Sequence, residues 1–177
     1  MFEIKPWDAD LYRQQTRRST LIIAVVFLAL AMLLSSLAVM LFGTPGADNF
    51  RFNLGGVIVA VLVMAALMRL YLWTQPWMAA AVYGWQLKRN LMRVTNVMHQ
   101  VTDGVQARDP VAMKVLRFYH LGLAQMHQLD GNSSDQQALV READGHAETM
   151  RGMGLDTEQS SLDLAWIDTL KKTYAQR

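Results

Sequence analysis

From Ser19 to Ala47 the chain carries no charged residue, and from Phe52 to Leu87 it carries one, Arg69. Two such runs at one end of a chain of 177 residues read as membrane spans rather than as a buried core. The first span is placed at Thr20–Phe42, "TLIIAVVFLALAMLLSSLAVMLF". At a rise of about 1.5 Å per residue it reaches about 34 Å, slightly more than the roughly 30 Å hydrocarbon core. A signal peptide would have a shorter apolar stretch followed by a small-residue cleavage site. Here a second apolar run follows directly.

Gly43, Pro45 and Gly46 stop the first helix and turn the chain. The second span is placed at Leu54–Trp73. Pro76 closes it, because proline lacks an N–H and disfavours helical geometry at the preceding Gln75. Arg69 then sits about 6 Å from the end of the span, within reach of the headgroups by snorkelling. With Tyr71, Trp73 and Trp77 it makes a membrane-interface anchor. The alternative is an Arg69 that lines an ion path.

Orientation follows from the basic residues. Lys5, Arg13, Arg17 and Arg18 precede the first span, and Lys88, Arg89 and Arg93 follow the second. The short connecting loop has only Arg51. The positive-inside rule puts both termini in the cytoplasm. Small residues let helix backbones approach in lipid. Ala24, Ala31, Ser35 and Ala38 form such a stripe on the first span, with Gly56 and Ala60 on the second. Ser35 and Ala60 lie at similar depth counted from the loop, so contact is expected between them.

After Pro76 the pattern changes. Trp77, Ala80, Gly84, Leu87, Leu91, Val94, Met98 and Val101 alternate in steps of three and four, a heptad seam along one helix. The flanking positions lack complementary charges, so the seam is expected to pack within the chain. Asp109-Pro110 starts the next helix. Its wide apolar stripe includes Val115, Phe118, Gly122 and Leu129, and Gly131 ends it. Ser133 or Ser134 caps a third helix that ends at Gly152 and Gly154. Asp156 with Gln159 starts the last one. No segment reads as a strand. The expected architecture is all-α: a cytoplasmic N-terminal segment (1–18), a transmembrane helical hairpin (19–75), and a juxtamembrane helix with a cytoplasmic bundle of about four helices (76–177).

Residues 88–177 hold eleven basic and eleven acidic side chains, which gives no basic face for nucleic acid. The absence of cysteine excludes disulfides and thiol chemistry. His120 and His127 share a helical face with Asp130 nearby, but seven residues span about 10 Å, too far to share one ion. His99 and Asp103, four apart, are spaced to pair on a helix. No phosphate loop, nucleophile elbow or His-Glu-x-x-His occurs, and no cofactor is implied.

The segments "NFRFNLGGV", "PWMAAAVYGWQLKRNLMRV" and "ARDPVAMKVLRFYHLGLAQMHQLDGNSSD" resemble a gammaproteobacterial family catalogued as domain of unknown function 3087. The resemblance covers Phe2 to about Leu155 and implies a bacterial inner-membrane protein. It supplies no activity or catalytic residue. The function expected is that of a non-enzymatic accessory or scaffold subunit. It would sit in the lipid bilayer and bind a protein partner, or a second copy of itself, through the cytoplasmic helices. The alternatives are a self-associated channel or transport element using Arg69, and a small-ligand or metal-binding membrane sensor or enzyme.

Overall fold

The computed structural model describes residues 1–132 and 136–175. Among the described residues the fold is all-α apart from one two-stranded ladder. In chain order the elements are β1 (Phe2–Glu3), α1 (Ala9–Phe42), α2 (Phe50–Leu70), α3 (Ala79–Thr95), α4 (Met98–Gln106), α5 (Pro110–Asp130), α6 (Gln136–Gly152), β2 (Ser161–Leu162) and α7 (Leu164–Thr173). Two short 3-10 turns, Leu72–Thr74 and Pro76–Met78, link α2 to α3. The chain divides into two compact units. One is Gln14–Val82; the other joins Met1–Arg13 to the residues from Tyr83 onward.

In the first unit, α1 and α2 form an antiparallel pair, and each apolar helix is long enough to cross a membrane. The connection is closed by Asn49. Its amide donates to the Thr44 and Ala47 carbonyls at 3.1 and 3.2 Å, and its carbonyl accepts from the Thr44 N–H at 3.0 Å. Gly56, Ala60 and Met64 are the buried positions of α2, spaced four apart along one face. A Cβ on Gly56 would lie 2.5 Å from Ser35 Cα, so the two backbones touch there. The Ser35 hydroxyl donates to Asn53 Oδ1 at 2.7 Å on the same side. Leu21, Val25, Leu28 and Met32 on α1, and Ile58 and Leu62 on α2, are instead exposed. The outside of this pair is therefore as apolar as its seam.

In the second unit, Leu87, Leu91 and Val94 of α3 are buried. The two leucine tips lie where a Cβ on Gly122 of α5 would come within 3.3 Å, which shows why that position carries no side chain. The heptad seam is not continuous. The helix breaks at Asn96–Val97, where the Val97 N–H bonds back only to Val94. Val97 then takes the buried place expected for Met98, and Val101 and Gly104 follow it. Two successive steps of three shift the stripe's phase. The single long helix thus becomes α3 and α4, and about four expected helices become five. Asp109 caps α5 by accepting from the Val111 N–H at 2.8 Å, and Gly131 ends it with φ of 70°. The capping serines expected at Ser133 and Ser134 lie outside the described residues.

Three further expectations are corrected. The chain does contain strands: Phe2 pairs with Leu162 and Glu3 with Ser161, antiparallel. The last helix starts at Leu164, capped by Asp163, rather than at Asp156. The residues before it bond instead to the N-terminus, which no helical period could reveal. The N-terminal residues are not a separate segment, because Met1–Arg13 belongs to the helical unit. Phe2 packs against Tyr83 and edge-on against Phe118, with ring centroids 5.9 and 6.3 Å apart. The Lys5 N–H donates to the Tyr83 hydroxyl at 3.0 Å, and the Ile4 N–H donates to the Ser160 carbonyl at 2.8 Å.

Helix contact at Gly56 gives a direct test. Gly56→Leu is expected to destabilise the pair in detergent micelles by about 1–3 kcal/mol through overpacking. Gly55→Leu, whose added side chain meets open space, is expected to melt close to the parent. Equal melting of the two variants would remove the assigned seam.

Candidate functional site

The expected anchor residues fall at the end of α2 and in the turns after it. Arg69 lies in the last turn of α2, exposed, where a cation complements the helix C-terminus. Tyr71, the residue that closes α2, is exposed, and Trp73 and Trp77 in the two 3-10 turns are half-buried. The regular α-helix therefore ends at Leu70, and a 3-10 turn carries the apolar segment on through Trp73 to Thr74. Ser19, early in the apolar part of α1, is buried. Its hydroxyl lies 2.8 Å from the Gln15 carbonyl and 2.7 Å from the Trp77 carbonyl. That contact ties the Pro76 turn to α1 within the helix pair. Of the packing residues, Ser35 meets Gly56, one turn from the Ala60 expected opposite it. Ala60 is fully buried, and Ala31 is half-buried.

The polar side chains of the helical unit gather elsewhere. His120 of α5 does not meet His127. It meets His146 of α6, edge to face, with ring centroids 5.4 Å apart. The two rings are 2% and 8% exposed. His146 Nε2 is 2.9 Å from the Met113 carbonyl, so that nitrogen carries the proton. His120 Nε2 lies 3.6 Å from Glu142 Oε1, and Glu142 is 69% exposed on its side-chain atoms. His120 Nδ1 has no hydrogen-bond partner among the described residues. Arg117, one turn before His120, donates to the Thr157 carbonyl at 2.8 Å and the Ala143 carbonyl at 3.0 Å. The guanidinium thus fastens α5 to α6 and to the segment before β2.

Burial pushes the pKa of both imidazoles below the usual histidine value, and for His120 the neighbouring His146 pushes further the same way. Glu142 pulls both upward, but an exposed carboxylate is screened by solvent and loses to desolvation. Both rings are therefore neutral in the fold near neutral pH. At 3.6 Å the Glu142 contact is then a weak polar approach and not an ion pair.

The sequence singles out His120, with His127 on the same face but too far away to share an ion, and no motif picks out His146 or Arg117. Spacing along one helix shows which residues share a face; it does not show which face of another helix comes to meet it. The available signal was Glu142 and His146, four apart on one turn of α6. Asp130 pairs instead with Lys88 at 3.0 Å, and His99 pairs with Asp103 at 3.4 Å. Among the described residues no group of three or more metal-ligating side chains converges.

The sign of the histidine effect is definite. Unfolded histidine takes up protons at a higher pH than these buried rings do, so acid favours the unfolded chain. Stability is expected to be full above the ordinary histidine value and to fall as pH drops below it. Melting temperature should decline between about pH 7.5 and about pH 5, and His146→Gln should flatten part of that decline. A slope unchanged in His146→Gln would show that the pair does not contribute.

The family model described as protein of unknown function (DUF3087) matches residues 2–167. Comparison with curated proteins and with solved structures gives no match.

Proposed function

The chain belongs to that family, and from this premise we propose a bacterial inner-membrane protein with both termini in the cytoplasm. The helical unit serves as a non-enzymatic accessory or scaffold subunit that binds another protein. The observation that carries the reading is the composition of the helical unit. It contains residues from both sides of the apolar helix pair, Met1–Arg13 and Tyr83 onward. A single folded unit stays on one side of a bilayer, so the chain between its two parts crosses an even number of times. Among the described residues two helices are long and apolar enough to do so.

Sidedness rests on the basic residues. Lys5, Arg13, Arg17 and Arg18 precede the pair, Lys88, Arg89 and Arg93 follow it, and the loop has Arg51 alone. Arg69, Tyr71, Trp73 and Trp77 then mark the cytoplasmic interface, with two aromatic rings half-buried and the cation free to snorkel. Support for docking comes from exposed apolar side chains of the helical unit, Met92 on α3 and Val140 on α6.

The natural absence of cysteine makes the topology test clean. A membrane-impermeant maleimide on intact spheroplasts is expected to label Asp48→Cys in the loop and spare Glu148→Cys on α6. The reverse pattern would turn the protein over, and labelling of neither or both would remove the hairpin. A photo-cross-linker at Met92 at native expression level is expected to capture one defined protein. Capture of lipid alone would leave the scaffold role without support.

A further inference from the structure

The helical unit has a cleft between α3 and the start of α7, lined also by Met1 and Phe2. Its volume is about 290 Å³, near the lower end of the range for small-ligand sites. Gln86, Arg89, Asn90 and Arg93 of α3 line it, facing Phe2 and Leu164, with Trp85 at the rim. No carboxylate is among its lining residues.

The two arginines differ from the other cations of this unit that have assigned partners. Lys88, one residue before Arg89, is paired with Asp130, and Arg13 with Asp10. Arg117 is spent on two carbonyls. Among the described residues neither Arg89 nor Arg93 has an ion pair. Each is instead held from the side by a neutral group. Arg89 lies over the Trp85 ring, 4.8 Å from its centre, which leaves the in-plane N–H fork uncommitted. Arg93 donates to Asn90 Oδ1 at 3.1 Å. Asn90 is only 6% exposed, and its amide donates to the Gln86 carbonyl at 2.8 Å. The asparagine is therefore locked and locks Arg93 in turn. The arginines are four residues apart on one helix, so both guanidinium groups serve one face. An adjoining hollow of about 230 Å³ shares Arg93 and Leu164 and adds Lys171 and Asp168.

We propose that this cleft binds a phosphate group, gripped by Arg89 and Arg93, on a ligand whose apolar part lies along Trp85, Phe2 and Leu164. Pre-positioned guanidinium forks match phosphate oxygens two at a time, and a doubly charged group can engage both. A locked asparagine behind one fork lowers the ordering cost of binding. The same chemistry is offered by a free phosphate ester and by a phospholipid headgroup. The site is independent of any protein partner of the scaffold.

The test uses the full chain in neutral detergent, titrated calorimetrically with inorganic pyrophosphate and, separately, with mixed micelles containing phosphatidic acid. A saturable heat with pyrophosphate identifies a free phosphate ligand, and a heat with phosphatidic acid micelles alone identifies a lipid headgroup. In either case R89Q/R93Q is expected to weaken binding at least about tenfold. Arg151→Gln/Lys172→Gln, which removes the same charge elsewhere, is expected to leave it unchanged. R89K/R93K keeps the charge without the fork and is expected to weaken binding too, which separates recognition from misfolding. No heat with either probe, equal loss in the charge control, or a response confined to an acidic peptide would overturn the proposal.

Discussion

The structure depends on the joining of the chain's first residues to a fold built mainly after residue 83. Three backbone positions do most of this. Phe2 and Glu3 pair with Leu162 and Ser161, and the Ile4 N–H reaches the Ser160 carbonyl. A two-residue ladder is not stable alone. It persists because Phe2 is set against Tyr83 and Phe118 and because Tyr83 holds the Lys5 backbone. Phe118 is fully buried, so the N-terminal segment adds to the core instead of decorating it. Residues 14–82 are consequently an excursion that begins and ends in the same unit.

The apolar helices of that excursion expose side chains that water solvates poorly. Its seam is narrow: Gly56, Ala60 and Met64 against α1, with Ser35 and Asn53 sharing one hydrogen bond. Small residues bring the two backbones into contact, and dispersion between closely packed backbones is the attraction that survives in an apolar solvent. The helical unit obeys the opposite rule. Its core is apolar, and most of its buried polar groups are held by specific partners. Arg117 on two carbonyls, His146 on the Met113 carbonyl and Asn90 on the Gln86 carbonyl are the examples. Among the described residues of this unit, the Nδ1 atoms of His120 and His127 are the buried side-chain nitrogens left unbonded, and the His120 ring is kept neutral by burial.

Much of this was legible in the sequence, because it rests on local signals. The two apolar helices, the turn at Gly43–Gly46, the caps at Asp109 and Gly131 and the buried face of α5 all follow from short-range pattern. What was not legible depends on residues far apart in the chain. The strand pair joins positions 158 and 160 apart, and only tertiary packing selects those residues as strands. The break at Asn96–Val97 has no glycine or proline to announce it; it arises because α4 must present Gly104 to Ala112 and α7. A continuous heptad would turn that face away. The histidine pair was missed for the same reason, since His120 and His146 lie on different helices. Arg89 and Arg93 were read only as charges after a span. Their cleft exists because Phe2 and Leu164, from opposite ends of the chain, come to α3.

The joining of the two chain ends is tested most directly by amide hydrogen exchange, followed by mass spectrometry, on the full chain in lipid nanodiscs. Slow exchange is expected at Ile4, with loss of that protection when Ser160 and its neighbours are displaced by Leu162→Pro. Fast exchange across residues 2–4 in the parent protein, with α5 still protected, would contradict it.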